Sequence, residues 1–584
     1  MKLVVWSLLA VLLFTSACPG KLEPAPHVVD AGAAPVAVVL KRPPFPNLAT
    51  AAYGQRVLEE RSAALPPDAT GTVAATLAAL HDVAPGSEQR AAVLGLAAAR
   101  GAKTEAERAT ALALASAALV LDPVVEGYQE RLTDAFGLAA YAATLDQSDN
   151  VAQGARALVG AAAGAVAQAR GLIKSVDDNP VPAAVSADVR LLLALSRRVI
   201  GDRGDALVAD LRAVLKANPT SLRARALLAE HLLELGLFDE AIAAAGSPPV
   251  APWLAAVAAR ARVLKGEVAE GIAALRDIEG KVDEGRRGEV IYWLARSLTQ
   301  TPDGAAEVQS LASALAPRPG FAKESKVLEA LLAQVAGDYT KARTLLEPLV
   351  PGPPRLPVDV DALWLLVDAC AGQGDLPCVE KAGAVVLEVD GDEGRLQVAR
   401  AASVLVGKTD GAAPEAAAKS VLEAFREAHR LTPFDDKLAA KVGEPVVGGG
   451  AAAAARVRAA RRALARGGAG GLVEEALAPV KDAACRACRA LAAAATLDGQ
   501  EGARRALKAL DGAGPPLAES DLIRVIDALG GFPMDGVRAA LAGLEVDARP
   551  RVKQAVAKAK ADLQDPNARA RRGIEAQHQH GAKP

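Results

Sequence analysis

Four of the five cysteines in this 584-residue chain form two close pairs, Cys370 with Cys378 and Cys485 with Cys488. Paired cysteines can form a disulfide, exchange it with another thiol, or bind a metal. In DACAGQGDLPCVEK the first pair is symmetric about Gly374, which lies four residues from each cysteine. If that glycine is the turn of a helical hairpin, the two cysteines reach matching heights on facing helices. We therefore predict a disulfide between them.

The second pair lies in DAACRACRAL, a CxxC motif at the predicted start of a helix. A redox-active CxxC normally belongs to a thioredoxin-like βαβ unit, and no such pattern surrounds this motif. Covalent haem attachment needs histidine after the second cysteine, where Arg489 stands. A structural zinc site needs a second pair of ligands. We therefore predict a local structural disulfide between Cys485 and Cys488, with a thiol–disulfide exchange protein as the alternative.

Two glutamates could act as catalytic acids. Glu324-Ser325 and Glu519-Ser520 are similar to the Glu-Ser pair of lytic transglycosylases, helical enzymes that cut the cell wall. Neither pair is followed by the glycine-rich segment that accompanies it in those enzymes, and both glutamates are expected to be solvated residues at helix starts. A general acid also needs a pocket that raises its pKa. We predict that the chain is not an enzyme, with a lytic transglycosylase-like protein as the alternative.

No nucleotide, metal or other cofactor is predicted. VGKTDG at 406–411 lacks the glycine that a phosphate-binding loop needs five residues before Gly407, and it follows a helical pattern where the loop needs a strand. The histidines show no HExxH or other metal-ligand spacing. They are His27, His81, His231, His429, His578 and His580.

The fifth cysteine, Cys18, follows one positive charge at Lys2 and an apolar run over residues 3–14 that only Ser7 interrupts. Twelve helical residues reach about 18 Å, short of the roughly 30 Å hydrocarbon core, so this run is too short to span a membrane. A basic start, a short apolar stretch and small residues before the cysteine are typical of an export signal.

FTSAC at 14–18 resembles the bacterial lipobox, with Thr15 in place of the usual leucine. The resemblance implies cleavage before Cys18 and lipidation of that cysteine; the alternative is a plain secretory signal cut nearby. Pro19 in place of Asp resembles lipoproteins that are moved on to the outer membrane. Residues 19–47 contain seven prolines and are predicted to form a disordered, extended tether.

The composition favours close-packed helices. Hydrophobic residues make up 51% of the chain but aromatic residues only 3%, because alanine and leucine supply most of the apolar surface. The net charge of −2 argues against nucleic acid as a partner. Residues 549–584 carry nine Lys/Arg and three Asp/Glu, a balance of +6. We expect this tail to be solvated, with contact to an anionic surface as the alternative.

The body of the chain repeats a hairpin pattern. In SLRARALLAEHLLELGLFDEAIAAAG at 221–246, Gly236 separates two predicted helices and the small residue Ala241 follows five positions later. The same layout recurs at 255–278 and 327–349. Other segments end a helix with proline, as in ALASAALVLDP, DLRAVLKANP and EAFREAHRLTP.

On these segments the body resembles tetratricopeptide-repeat (TPR) proteins. The resemblance implies an all-α fold, a right-handed superhelical solenoid of antiparallel helix pairs, with a generic helical solenoid as the alternative. The predicted segments are a signal peptide (1–17), a lipidated tether (18–49), a TPR-like domain (50–440), a Gly/Pro linker (441–450), a second helical repeat segment (451–548) and a basic tail (549–584).

A solenoid exposes a long concave surface built from one helix of each pair. Such a surface can hold an extended peptide or a partner helix. We therefore predict a scaffold or adaptor that binds protein partners in an envelope complex and is anchored through Cys18. The expected location is the bacterial cell envelope, at the outer membrane and facing the periplasm. The low aromatic content argues against a carbohydrate-stacking site.

Overall fold

A computed structural model describes residues 51–386 and 450–565, apart from short gaps. The gaps are residues 67, 85, 122–127, 247–248, 250, 302, 319, 351–356, 376, 380, 468–469, 481–484, 497–498, 513–516 and 518. Several predicted features lie outside the described residues: Cys18, the tether, the 406–411 segment, the linker up to residue 449, and the tail beyond residue 565.

Within the described ranges every regular element is a helix and no strand occurs. The chain divides into two compact units, one of residues 1–202 and 206–225, the other of residues 203–205 and 226–584. Helices that are neighbours in sequence pack against each other within each unit. The predicted all-α fold of sequence-adjacent helix pairs is therefore confirmed for the described residues. Alanine and leucine supply most of the buried core, as their abundance indicates.

The first unit is built from helices of 9 to 18 residues. They are α1 (Ala51–Ala63), α2 (Val73–His81), α3 (Ser87–Gly101), α4 (Glu105–Leu119), α5 (Tyr128–Leu145), α6 (Asn150–Ala162), α7 (Val166–Asp177), α8 (Ser186–Val199) and most of α9 (Asp205–Ala217). A 3-10 turn, Ala183–Val185, precedes α8. Helix α3 packs on α4, α1 on α5, and α6 on both α7 and α8.

The second unit begins within α10 (Leu222–Leu235). Its next helices are α11 (Phe238–Ala245), α12 (Pro252–Lys265), α13 (Val268–Glu279), α14 (Glu284–Leu298), α15 (Ala305–Leu315), α16 (Ala322–Val335), α17 (Tyr339–Leu346) and α18 (Pro357–Gln373). After the 3-10 turn Glu347–Leu349 and α18, residues 377–379 and 381–386 are also helical. The C-terminal helices are α19 (Gly450–Ala465), α20 (Gly471–Leu477), α21 (Arg486–Ala495), α22 (Gly499–Asp511), α23 (Glu519–Gly530), α24 (Val537–Gly543) and α25 (Pro550–Gln564).

The predicted hairpin of residues 221–246 forms as α10 and α11. Gly236 adopts φ +78°, in the left-handed region where glycine carries no Cβ penalty, and so ends α10. Ala241 is fully buried at the close approach of the hairpin. In the 255–278 hairpin the equivalent residue is Gly271, where a Cβ atom would lie 2.4 Å from a Val263 methyl. The small residue that the sequence pattern required therefore allows the two helices to touch.

The C-terminal helices of the second unit pack back on its first hairpin. Arg456 of α19 donates to Glu240 at 2.6 Å, and Arg466 pairs with Glu234 at 2.9 Å. The Asp205 carboxylate accepts hydrogen bonds from backbone amides at the start of α20, with donor–acceptor distances of 3.0–3.3 Å. Ion pairs and a helix cap thus attach α19 and α20 to other residues of the second unit.

Candidate partner-binding site on the first helices

Four helices of the second unit, α12, α14, α16 and α18, contact one another in succession. Each is the first helix of a hairpin, and α12, α14 and α16 pack on the second helices α13, α15 and α17. We call these four the first-helix row. Every tryptophan among the described residues lies in this row, at Trp253, Trp293 and Trp364. The tryptophans of the described residues are therefore concentrated in this row.

Two tryptophans and two arginines form a reciprocal stack between α12 and α14. The Trp253 and Trp293 ring centroids are 5.3 Å apart. The Arg286 guanidinium lies 4.5 Å from the Trp253 centroid, and the Arg260 guanidinium lies 4.9 Å from the Trp293 centroid. Each helix thus supplies one tryptophan and one arginine, spaced by seven residues, or about two helical turns. We call these four residues the Trp–Arg cluster.

The arginines form the outer layer of this cluster. Trp253 and Trp293 are each only 7% exposed, and the indole N–H of Trp253 donates to Glu230 Oε1 at 2.6 Å. Arg260 and Arg286 are partly exposed. A guanidinium covers one face of each ring. This part of the row therefore presents guanidinium groups rather than the bare indole faces on which sugars stack.

Acidic and aromatic groups surround Arg260. The Tyr292 hydroxyl donates to Asp361 Oδ2 at 2.6 Å, and Arg296 lies 3.5 Å from the same carboxylate. Burial, together with the Asp361 charge, raises the pKa of Tyr292 well above its usual range, so Tyr292 remains a hydrogen-bond donor. Burial lowers the pKa of Arg260, although the nearby Asp361 opposes that shift. Arg260 makes no hydrogen bond to any described residue.

Glu324, one of the two glutamates considered for catalysis, lies in the same row near the start of α16. Its carboxyl is partly buried, where the sequence pattern predicted a solvated residue. Burial is the main cause that raises its pKa, and the Asp359 and Asp361 charges add to it. Its Oε2 atom is buried without a hydrogen-bond partner. Ser325 points into the core and donates to the Ala312 carbonyl at 2.8 Å.

Replacing Glu324 with glutamine is expected to raise the melting temperature of the chain by about 1–3 °C at pH 7.5. A raised pKa means that the ionised carboxylate destabilises the folded state above that pKa. The gain should fall towards zero near pH 3.5, below the ordinary pKa of about 4.3, because the wild-type side chain is then neutral in both states. Thermal unfolding followed by circular dichroism at both pH values measures the difference.

Glu329→Gln on the same helix is the matched control, because Glu329 is paired with Lys326 at 2.8 Å and its loss should bring no gain. If Glu324→Gln lowers the melting temperature at pH 7.5, or if its gain in melting temperature grows towards acid pH, the pKa of Glu324 is not raised in the folded state.

The structure places both cysteine pairs at disulfide distance. The Cα atoms of Cys370 and Cys378 are 5.6 Å apart on either side of the Gly374 turn, and those of Cys485 and Cys488 are 5.3 Å apart. Cys485 is fully buried and its sulfur accepts from the Cys488 backbone amide at 3.3 Å, which caps the start of α21. Glu519 begins α23.

A Ser–His–Asp group in the first unit was not predicted from the sequence. His81 lies 2.6 Å from Ser221 Oγ and 2.9 Å from Asp188 Oδ1. Ser221 is fully buried and accepts from the Ala224 amide at 3.3 Å, so it acts as a cap at the start of α10. A nucleophile must reach its substrate, and this hydroxyl does not meet solvent. The group therefore links α2, α8 and the residue that caps α10, and its buried hydroxyl is not placed to attack a substrate.

No group of three or more His, Cys, Asp or Glu side chains in the described ranges is placed to hold a metal ion. No helix in that part of the chain is long and apolar enough to cross a membrane.

No known family model matches this chain, and no curated protein matches it. Among solved structures, one match is a chain described as "Structure of Naa15/Naa10 bound to HypK-THB". It shares 14% sequence identity, covers 87% of this chain and 78% of its own length, and has a TM-score of 0.23. The all-α assignment rests on the helix pairs described above.

Proposed function

We propose that this chain is a lipid-anchored, TPR-like scaffold that binds a protein partner along the first-helix row, in a complex of the bacterial cell envelope. The observation that supports this function is the convergence of aromatic, cationic and acidic side chains on that row. Trp253, Trp293, Trp364, Arg260 and Glu324 come from helices far apart in the sequence.

The polar groups of the row suit a peptide. Trp364 Nε1 and Arg286 Nη1 are donors without an acceptor among the described residues, and Glu324 Oε2 is an acceptor without a donor. Buried polar atoms of a folded protein normally have partners, and unsatisfied ones call for an explanation such as a ligand. A peptide main chain offers both carbonyl acceptors and N–H donors, so one extended segment would satisfy both kinds of group once the side chains that cover these buried atoms move aside.

The anchor is proposed on the sequence alone. The lipobox-like FTSAC and the proline-rich residues 19–47 support lipidation at Cys18 and a spacer between the membrane and the helical body. Export to an oxidising compartment also accounts for two cysteine pairs at disulfide distance.

Site-specific photo-cross-linking in intact cells tests the scaffold function. We expect a photoreactive phenylalanine at Glu289, an exposed position of α14 close to Arg260, to give a discrete cross-linked protein species. The same residue at Ala273, exposed on the second helix α13, should give none, because the partner is expected on the first-helix row. The cross-linked species are detected by immunoblot.

In a parallel arm, Cys18→Ser should move the chain from the membrane fraction to the soluble fraction. Absence of any species at Glu289, or equal yields at both positions, would reject the first-helix row as the partner surface. Membrane retention of Cys18→Ser would reject the lipid anchor and leave the scaffold function to stand on the cross-linking result.

Cell-wall cleavage is the alternative function, and the raised pKa of Glu324 is the observation that favours it. A general acid at that position predicts cleavage of purified peptidoglycan that Glu324→Gln abolishes. A scaffold predicts no cleavage by either form, and chromatography of the muropeptides released from peptidoglycan distinguishes the two.

A further inference from the structure

A group of arginines lies in the second unit, where residues 203–205 meet the turn that follows α19. Arg203 precedes α9, and Arg466 follows the last residue of α19. These two loops touch, because a Cβ atom added at Gly204 would lie 2.6 Å from the Gly467 carbonyl oxygen. The group lies outside the first-helix row, so its chemistry is independent of the proposed scaffold function.

One carboxylate oxygen holds two of the guanidinium groups. Nη1 of Arg203 lies 3.0 Å from Glu234 Oε2, and Nη1 of Arg466 lies 2.9 Å from the same atom. Because both Nη1 atoms are within hydrogen-bond distance of one oxygen, they are close enough to contact the same small anion. Arg462 reaches the adjacent Gly236, where an added Cβ atom would lie 2.7 Å from its Nη1. We call Arg203, Arg462, Arg466 and Glu234 the Arg–Glu cluster.

Positive charge is in excess within the Arg–Glu cluster. Burial lowers the pKa of the Arg466 guanidinium; the Glu234 charge opposes that shift, and the Arg203 and Arg462 charges add to it. Three guanidinium groups therefore interact electrostatically around one carboxylate. Helix α19 contains no Asp or Glu that could balance them, and Asp205 is engaged by the amides at the start of α20. An anionic ligand would reduce the repulsion among the three arginines.

The unused donors of the cluster are open to solvent. Arg203 and Arg466 each donate from Nη1 to Glu234, and their Nε and Nη2 groups have no acceptor among the described residues. These nitrogens are not among the buried unsatisfied atoms. The Arg203 and Arg466 side chains are 37% and 33% exposed, whereas His231, 3.8 Å from Glu234 Oε2, is fully buried. A ligand can therefore reach the unused N–H groups from the solvent side of the cluster.

A phosphate group fits these donors better than a carboxylate. A phosphate monoester has three terminal oxygens and about −1.5 to −2 charges at neutral pH, so it can accept from several guanidinium groups at once. A carboxylate has only two oxygens and a single charge. The contact with Glu234 also holds the two guanidinium groups in place before the ligand arrives, which lowers the entropy lost on binding.

We propose that Arg203, Arg462 and Arg466 bind the terminal phosphate of a phosphate monoester, carried either by a soluble small molecule or by a lipid headgroup. Glu234 positions Arg203 and Arg466 and does not contact the ligand.

Isothermal titration calorimetry of the full-length protein in detergent micelles tests the site. Glycerol 3-phosphate, inorganic phosphate and acetate are the probes, at matched ionic strength. Both phosphates should bind and acetate should not, with the Kd of glycerol 3-phosphate raised about 10-fold or more by either Arg203→Gln or Arg466→Gln. Arg276→Gln is the matched control, because Arg276 also pairs with a single glutamate, Glu307, but has no second arginine on it among the described residues.

Glu234→Gln gives a prediction of opposite sign. Glutamine keeps a carbonyl oxygen that can accept from Arg203 and Arg466 but removes the negative charge, so glycerol 3-phosphate should bind several-fold more tightly. Arg466→Lys keeps the positive charge but loses the planar fork, and should bind glycerol 3-phosphate more weakly. It replaces Arg466→Gln as the test if that variant unfolds at a lower temperature than the wild type.

Vesicle flotation identifies the source of the phosphate. The Cys18→Ser protein, which lacks the proposed lipidation site, is mixed with phosphatidylcholine vesicles with or without phosphatidic acid, whose headgroup is a phosphate monoester. Flotation that needs both phosphatidic acid and Arg466 would support the proposal with a lipid headgroup as the ligand. Binding of glycerol 3-phosphate without such flotation would support it with a soluble ligand.

Equal binding of acetate and glycerol 3-phosphate, or an unchanged Kd in both arginine variants, would overturn the proposal. So would the absence of both glycerol 3-phosphate binding up to millimolar concentration and flotation with phosphatidic acid. Binding of inorganic phosphate alone would show an adventitious ion only and equally overturn it. The cross-links on the first-helix row test the scaffold function separately, so the failure of one proposal leaves the other standing.

Discussion

Replacing Arg461 with methionine is expected to lower the free energy of unfolding of the second unit by about 3 kcal/mol. Arg461 of α19 donates from Nε to Asp521 Oδ1 at 3.1 Å and from Nη2 to Oδ2 at 2.6 Å. Arg461 is 4% exposed and Asp521 of α23 is fully buried. Without the guanidinium, Arg524, at 3.2 Å, is the one cationic partner that the buried carboxylate keeps among the described residues.

The double variant Arg461→Met/Asp521→Leu should recover most of that loss. Removing both charges removes the desolvation cost as well as the attraction, and apolar side chains of similar volume then fill the space between the helices. Urea unfolding followed by circular dichroism measures all three proteins, since urea does not screen the ion pair. Arg504→Gln is the control, because its pair with Glu501 is exposed and contributes little.

If the single and double variants lose the same stability, the ion pair does not hold α19 against α23. If Arg461→Met loses less than about 1 kcal/mol, Asp521 is better solvated than the structure indicates. Either result would show that this ion pair contributes less to the packing of α19 against α23 than the structure indicates.

The helix pairs could be predicted from the sequence because their signals are local. Gly236 and Gly374 end helices, and alanine at the close approach of a hairpin follows from spacing alone. The same locality explains the cysteine prediction, since Cys370 and Cys378 are equidistant from one turn. The lipid anchor stays a prediction, because Cys18 lies outside the described part of the chain. The tail was expected to be solvated from residue 549, whereas α25 is a packed helix in which Val552 and Val556 are buried.

The candidate site could not be predicted because it depends on contacts between repeats. Trp253 and Arg286 are 33 positions apart, and their stack forms only when α12 and α14 lie side by side. The available sequence signal was that a tryptophan and an arginine lie seven residues apart on both helices, as Trp253 and Arg260 on α12 and as Arg286 and Trp293 on α14.

Glu324 shows the same limit. A helix-start glutamate is usually solvated, but here burial raises its pKa, and the Asp359 and Asp361 charges add to that shift.

A large loss of stability is also expected on replacement of Arg223, because its buried side chain contacts both ends of the connection between α2 and α3 in the first unit. It is 6% exposed and lies at the start of α10. Its guanidinium donates to the carbonyls of Leu80 and Asp82, at 2.6 and 2.8 Å, and to Glu88 at 2.6 Å. These acceptors lie at the end of α2 and the beginning of α3, so the contacts hold that turn against α10.

Arg223→Met is expected to destabilise the first unit by about 3 kcal/mol at pH 7, since it keeps the stem but leaves two carbonyls and a carboxylate without this donor. The Glu88 pKa is lowered overall: burial raises it, but the Arg223 charge and hydrogen bond outweigh burial. That part of the stability is present above the ordinary Glu pKa of about 4.3 and is lost as the pH falls through the lowered one. The difference in stability between wild type and variant should therefore shrink at acid pH in urea titrations.

Arg225→Gln is the control. Its hydrogen bond to the Pro219 carbonyl is exposed, so the substitution should cost less than about 1 kcal/mol at either pH. If the loss in Arg223→Met is the same at both pH values, the carbonyl contacts alone account for it.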